Sequence, residues 1–143
     1  MRNQMNPFTT ITHALSDPNR LRLLAACLDQ ERCVCQLVEL IDLSNASISK
    51  NLAVLRNAGL LESRKEGRWV HYQTPPTPTP LIGDALTLVR QHALGDEQIQ
   101  TDIVKLKHID QIEPFDLARM QREGCCVQTD SVKTTSNTQG ATT

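Results

Sequence analysis

The segment from Cys33 to Gln73 constrains the fold more than any other part of this 143-residue chain. Apolar residues recur there at helical spacings in two successive stretches, the first made of Leu37, Leu40 and Ile41 and the second of Ile48, Leu52 and Leu55. Ser44 precedes the second stretch as a helix cap, and Gly59 follows it where a left-handed residue can end a helix. The pattern predicts two short helices joined by a turn.

A predicted β-hairpin follows the second helix. Its strand-like runs are residues 60–65 and 69–73, and Gly67 lies between them as the residue that a tight turn needs. A pair of helices followed by such a hairpin predicts a winged helix-turn-helix, a mainly α fold with a small β-hairpin. The second helix of this motif enters the major groove of DNA, and the hairpin lies along the phosphate backbone.

The candidate DNA-binding residues lie on these two elements. Ser47, Ser49, Lys50 and Asn51 are expected to face the major groove, and Arg64, Lys65 and Arg68 are expected to face phosphates, with His71 touching DNA or packing on the wing. A solvated surface is the alternative explanation of such a charged run. Residues 1–74 carry nine Lys or Arg and seven Asp or Glu, whereas residues 75–143 carry six and nine. The basic surplus therefore lies in the half that is predicted to bind DNA.

Several linked motifs resemble one protein family. They read, in chain order, ALSDPNRLRLL, ERCVCQL, SISKNLAVLRNAGLL and RKEGRWVHYQ. These motifs are similar to those of the ArsR/SmtB family of metal-responsive repressors, and within it to the arsenical-resistance repressors, over residues 8–110. The resemblance implies a homodimeric repressor of double-stranded operator DNA that As(III) or Sb(III) releases. It implies neither an organic cofactor nor an enzyme.

The rest of the chain is divided by composition. Phe8, Ile11 and Leu15 predict a first helix, residues 74–80 predict an extended proline-rich connector, and residues 81–93 predict a further apolar helix. The resemblance implies that this helix and the first one form the dimer seam; packing within one chain is the alternative. We expect a DNA-binding and dimerisation domain over residues 1–110. Residues 111–143 are expected to form a C-terminal extension with vicinal cysteines, a short helix over 114–122, and a disordered tail from residue 127.

The cysteines carry the most specific functional signal. There are five, at positions Cys27, Cys33, Cys35, Cys125 and Cys126. No apolar run is long enough to span a bilayer, which predicts a cytoplasmic protein without a membrane partner. Structural disulfides are rare in the cytoplasm. Cysteine pairs in such a protein therefore suggest soft-ion binding or redox sensing. Cys27 is expected to be a small buried hydrophobic residue. Cys33 and Cys35 lie at the start of a predicted helix, where amide N–H groups favour the thiolate that binds soft ions.

The sequence departs from the resembling family at two positions. The resemblance implies a third cysteine three residues after Cys35, where this chain has Val38, and a histidine where it has Asn51. As(III) prefers three sulfurs, so either an exogenous ligand completes the set or the pair Cys125 and Cys126 does, from the same or the other subunit. The alternative explanation of Cys125 and Cys126 is that they have no function and simply lie in the tail.

A regular helix also restricts the thiol pair. Its residues turn by about 100° each, so side chains two positions apart diverge by about 200°. We therefore expect an ion bound by Cys33 and Cys35 to distort the first helical turn. Neither His92 nor His108 fits the spacing of the zinc-sensing branch.

Three other functions use the same residues differently. A repressor of this fold could sense redox change or reactive sulfur through a cysteine pair. It could also sense a soft divalent metal such as Cd(II) or Pb(II), although the branch that does so adds cysteines that are not found before Cys27. A thiol enzyme is disfavoured, because there is no C-x-x-C motif and no strand-helix-strand pattern around Cys33.

Overall fold

The computed structural model describes residues 6–122, which fold into a mainly helical domain with one small sheet. The helices are α1 (Pro7–Leu15), α2 (Pro18–Ala26), α3 (Val34–Leu40), α4 (Asn45–Asn57), α5 (Pro80–His92), α6 (Glu97–Ile109) and α7 (Pro114–Arg122). The strands are β1 (Arg32–Cys33), β2 (Glu62–Glu66) and β3 (Trp69–Gln73). The predicted fold class is confirmed. Cys125, Cys126 and the predicted tail lie outside the described residues.

Local sequence signals fix where the helices begin. The Asp17 carboxylate accepts the N–H groups at the start of α2, and Ser44 Oγ accepts the Ser47 N–H at 3.1 Å. Pro80 was expected to belong to the extended connector. It is instead the first residue of α5, with Thr79 as the cap. Proline is tolerated there because the first helical N–H has no partner within the helix.

The sheet has one strand more than the predicted hairpin. Its antiparallel order is β1-β3-β2, with His71 of β3 opposite Cys33 on one side and Arg64 on the other. Strand β1 has only two residues, so it carries no alternating pattern that could predict it. Strand β2 begins later than expected because Leu60 and Leu61 are buried in the core. Gly67 turns the hairpin with a φ of +62°.

The core lies between the helix-turn-helix and the C-terminal helices. Leu23, Leu24, Leu37, Leu40, Ile48, Leu52 and Leu55 are its fully buried members around α2, α3 and α4. Helix α6 packs on α2 and α3, and α7 packs on α3. Leu117 of α7 is fully buried in the same hydrophobic cluster, so this part of the predicted extension shares the core.

An ion pair between a partly buried arginine and a buried carboxylate fastens α6 to α2. Arg22 donates from Nε to Asp102 Oδ2 at 2.8 Å and from Nη2 to Oδ1 at 2.9 Å. Gln98 Nε2 donates to the same carboxylate at 3.1 Å. The carboxylate is thereby paired and hydrogen-bonded, as a charge in the interior must be.

Candidate functional site

The thiols of Cys33 and Cys35 lie side by side. Cys33 is the last residue of β1 and the N-cap of α3, with extended backbone angles of φ −71° and ψ 148°, whereas Cys35 is in the first helical turn. Their Sγ atoms are 2.8 Å apart. The expectation that the two side chains diverge was wrong, because Cys33 pairs with His71 in the sheet and is not helical. Binding one ion to both sulfurs therefore does not require the first turn of α3 to unwind.

The two thiols differ in acidity. The Cys35 thiol donates a hydrogen bond to Cys33, and this bond is the main reason why the pKa of Cys33 is lowered to about 6 although the side chain is buried. The Cys35 N–H, the charge of His71 and the Gln36 N–H act in the same direction. The same thiol hydrogen bond, burial and the nearby Cys33 charge raise the pKa of Cys35. Cys33 is thus the thiolate of the pair and Cys35 its hydrogen-bond donor.

Cys27 has no part in this pair. Its side chain is 1% exposed, and burial raises its pKa to about 12. The prediction of a small buried hydrophobic residue is confirmed. Cys27 is accordingly a matched control for the other two cysteines.

A groove of about 440 Å³ opens over the thiol pair, and we call it the thiol groove. Its lining consists of Cys33, Val34, Cys35, Val38, Asn45, Ser49, Arg68, Trp69, Val70, Tyr72 and Gln121. These residues come from β1, α3, the first half of α4, the hairpin and α7. Gln121 Nε2 donates to the Cys35 carbonyl at 3.0 Å, which fixes α7 to the helix that carries the thiol.

The residues of α4 that are predicted to face the major groove of DNA differ in their exposure and in their contacts. Ser49 and Lys50 are exposed, whereas Ser47 is half-buried and bonded to the Ser44 cap. Asn51 Oδ1 accepts a hydrogen bond from Arg20 Nη1 at 3.3 Å. No local sequence pattern predicts this contact, because the partners lie 31 residues apart.

Arg20 also binds the end of α1. It donates to the carbonyls of Ala14 and His13 at 2.9 and 3.0 Å. One guanidinium therefore joins the C-terminus of α1 to the recognition helix α4.

On the wing, the structure separates the four predicted contacts into two groups. Arg64 makes two 2.7 Å hydrogen bonds to Glu31 and a third at 2.9 Å to Glu66, so carboxylates neutralise its charge. His71 lies 4.0 and 3.8 Å from the same two carboxylates and is largely buried. Lys65 and Arg68 are exposed. These two are the better placed cations for phosphate.

Arg68 lies close to two aromatic rings. Its guanidinium is 5.4 Å from the centre of the Trp69 ring and 5.8 Å from that of Phe115 on α7. Such distances are typical of cation–π contacts. Helix α7 therefore contacts both the thiol helix and the tip of the wing.

Residues 6–122 were also searched for metal-binding clusters and for helices that could span a membrane. No group of three or more His, Cys, Asp or Glu side chains in that range could hold a metal ion. His92 and His108 are exposed. None of the described helices is both long enough and apolar enough to cross a bilayer.

Comparison with known proteins places these features in one family. Residues 17–63 match the family model described as bacterial regulatory protein, arsR family. The arsenical resistance operon repressor of Escherichia coli K12 is 44% identical over 63 residues, which are 43% of this chain and 54% of that protein. The chain thus spans about half the length of that relative.

A second relative and a solved structure are matched over more of their length. The arsenic resistance transcriptional regulator ArsR2 of Pseudomonas putida is 34% identical over 99 residues, covering 68% of this chain and 84% of that protein. The structure of HlyU from Vibrio cholerae N16961 is similar with a TM-score of 0.52 and 30% identity, over 61% of this chain and 92% of that one. The chain therefore belongs to the arsR family of bacterial regulatory proteins, which are DNA-binding transcriptional regulators and not enzymes.

Proposed function

We propose that this protein is a cytoplasmic repressor that binds operator DNA as a homodimer and leaves it when As(III) or Sb(III) binds Cys33 and Cys35. The observation that carries the proposal is the 2.8 Å approach of the two sulfurs at the start of α3. The names of the Escherichia coli and Pseudomonas putida relatives support the class of inducer. A thiolate beside a thiol is a suitable ligand pair for a soft, thiophilic atom.

The binding step is ligand exchange at arsenic. Two As–O bonds of As(OH)₃ break and two As–S bonds form, to the Cys33 thiolate and to Cys35. One oxygen leaves as water with the Cys35 thiol proton, the other leaves as hydroxide, and arsenic stays trivalent. A third position remains on arsenic. Its candidate occupants are hydroxide, a small thiol, and Cys125 or Cys126 from either subunit.

Packing provides the route from this site to DNA. Leu37 and Leu40 of α3 are fully buried in the core that also holds Ile48 and Leu52 of α4. A ligand that moves α3 therefore moves the recognition helix with it. If As(III) binds the DNA-free shape better, DNA must weaken As(III) binding by the same factor.

The dimer part of the proposal rests on an apolar patch. Phe8 of α1 and Leu88 of α5 are 58% and 55% exposed, and Ile11, Leu15 and Leu81 lie beside them around one groove. Exposed apolar clusters of this kind commonly mark protein interfaces. A two-fold dimer through this patch presents two recognition helices to two half-sites.

The test begins by selecting, from a random pool, a DNA duplex that the protein binds. Release of the protein from this duplex is then measured by fluorescence anisotropy. Arsenite is expected to release the wild-type protein. Cys33→Ser and Cys35→Ser are expected to bind DNA without responding, and Cys27→Ala is expected to respond as the wild type does. Release that persists in the Cys33→Ser, Cys35→Ser double variant contradicts this site and points to Cys125 and Cys126.

The same geometry favours one second candidate, a sensor of oxidants or reactive sulfur. The acidic Cys33 thiolate lies within reach of Cys35, so peroxide could take two electrons from the pair, one proton from the Cys35 thiol and one from solvent, giving a disulfide and two waters. If this second function is correct, peroxide releases the protein from DNA and arsenite does not. Cd(II) or Pb(II) has weaker support, because residues 6–122 place no third ligand with the two sulfurs.

A further inference from the structure

Helix α7 is held firmly against α3 and presents an aromatic ring to the wing. Its last turn is tied to α3, since Gln121 Nε2 donates to the Cys35 carbonyl at 3.0 Å. Its middle is fixed by Leu117, which is fully buried in the core. Its first turn carries Phe115, which is 52% exposed and whose ring centre lies 5.8 Å from the Arg68 guanidinium. The ring therefore has a fixed position beside a residue that is predicted to contact DNA.

The aromatic contacts leave the charge of Arg68 available. A guanidinium that stacks on aromatic rings uses its planar faces, so the five N–H groups at its edge can still donate. Arg68 has a second ring beside it, that of Trp69 at 5.4 Å. Within residues 6–122 no carboxylate pairs with Arg68, whereas two carboxylates pair with Arg64 on the same hairpin. Two rings thus hold Arg68 without neutralising it.

We propose that Phe115 is a positioning residue for DNA binding, because its ring holds the Arg68 guanidinium where it meets a phosphate. A long exposed side chain loses conformational freedom when it binds, and a contact that already restricts it lowers this cost. This inference rests on the proposed function for the phosphate contact of Arg68. Phe115 itself lies beyond residues 17–63, the segment that matches the family model.

The same helix brings the thiols close to this contact. The Cys35 sulfur lies 3.9 Å from the carbonyl oxygen of Pro114, the residue before Phe115. A ligand that bonds to the Cys35 sulfur replaces its proton and occupies space there, so it disturbs the start of α7. The ring then moves relative to Arg68. The wing is thus linked to the thiols through α7, in addition to the link from α3 to the recognition helix.

The experiment measures the affinity of the full-length protein for the selected duplex, without arsenite, over a series of salt concentrations. Phe115→Leu keeps an apolar side chain but removes the ring, and it is expected to weaken DNA binding roughly two- to fivefold. The salt slope is expected to fall by up to about 0.9, since one phosphate contact is weakened. Phe115→Tyr keeps the ring and is expected to behave as the wild type. Val104→Ala changes another exposed apolar residue, on α6, and is the matched control that is expected to alter neither value.

A double-mutant cycle shows whether Phe115 acts through Arg68. In an Arg68→Ala background, Phe115→Leu is expected to cost nothing further, because the guanidinium that the ring holds is gone. Additive losses overturn the inference, since Phe115 then stabilises the fold or touches DNA by itself. A Phe115→Leu protein that binds DNA as well as the wild type, or better, overturns it too.

Arsenite tests the link to the thiols. Phe115→Leu is expected to show a smaller fold-change in DNA affinity on adding arsenite than the wild type does, because the contribution of Arg68 is already reduced. An undiminished fold-change overturns the route through α7.

The failures of the two proposals are distinguishable. If Arg68→Ala lowers the salt slope and Phe115→Leu does not, the inference falls and the phosphate contact of Arg68 stands. If neither variant changes the slope, both fall. A wild-type protein that arsenite does not release removes the proposed inducer, whereas the role of Phe115 in DNA binding is still decided by the salt slopes and the double-mutant cycle.

Discussion

At the scale of residues, Cys33 and Cys35 show how backbone position decides side-chain chemistry. Cys33 lies in extended backbone just before α3, and Cys35 is the second residue of that helix. This offset lets one sulfur donate a hydrogen bond to the other, which makes Cys33 the more acidic. Two cysteines in a continuous helix could not form that bond.

The first prediction concerns the pH dependence of this pair. The pKa of Cys33 is lowered to about 6, so its thiolate predominates above that pH and is lost as pH falls through it. The rate at which iodoacetamide alkylates Cys33, followed by mass spectrometry as a function of pH, is expected to have its midpoint near this value. Cys35→Ala is expected to move the midpoint upwards, because it removes the hydrogen-bond donor. An unchanged midpoint in that variant contradicts the assignment, and Cys27 serves as the unreactive internal control.

A second prediction distinguishes two arginines of the wing. Arg68→Ala is expected to weaken binding to all DNA sequences and to lower the salt slope by about 0.9, the loss of one phosphate contact. Arg64→Ala is expected to have the smaller effect, since Glu31 and Glu66 hold that guanidinium. Anisotropy over a series of salt concentrations measures both, and equal slopes for the two variants count against this division of roles.

At the scale of elements, single side chains link helices that lie far apart in sequence. Arg20 joins the end of α1 to Asn51 of α4, and Arg22 joins α2 to Asp102 of α6. The first link holds a residue that is expected to face DNA bases. The second holds the C-terminal helices against the DNA-binding motif.

The third prediction is that Arg20 positions Asn51 for base recognition. Arg20→Lys keeps the charge but loses the planar fork that reaches α1 and Asn51 together. Sequence preference is expected to relax, and Asn51→Ala is expected to add little once Arg20 is changed. A double-mutant cycle on DNA affinity measures this coupling at roughly 0.5–3 kcal/mol. Strictly additive effects show that the two residues act independently.

The fourth prediction concerns the stability of the α2–α6 link. Asp102→Asn removes the buried partner of an ion pair and is expected to lower the free energy of unfolding by roughly 3 kcal/mol. Asp29→Ala breaks the exposed pair with Arg90 and is expected to cost less than about 1 kcal/mol. Urea denaturation of both variants makes the comparison, and similar losses argue against a special role for the Asp102 pair.

At the scale of the whole molecule, the predictions were correct for features set by neighbouring residues and missed features that depend on residues far apart in the sequence. Helix α4 and its Ser44 cap were predicted because their signals lie within one short segment. Strand β1 and the extended Cys33 were missed because both depend on pairing with β3, far along the chain. The contacts of Glu31 with Arg64 and of Arg20 with Asn51 were missed for the same reason. Elements with local signals were thus predictable, and the geometry that brings Cys33 and Cys35 together was not.

The late position of α6 and α7 also has a consequence for synthesis on the ribosome. The segment that matches the family model ends at residue 63, yet part of its core is covered by Leu106, Ile109 and Leu117. At ~5–20 residues per second, the apolar face of α2 and α3 waits several seconds for these helices to emerge. A nascent chain stalled before α6 is therefore expected to bind chaperones and to be cut by protease within α2 and α3, whereas one stalled after the tail has emerged is not.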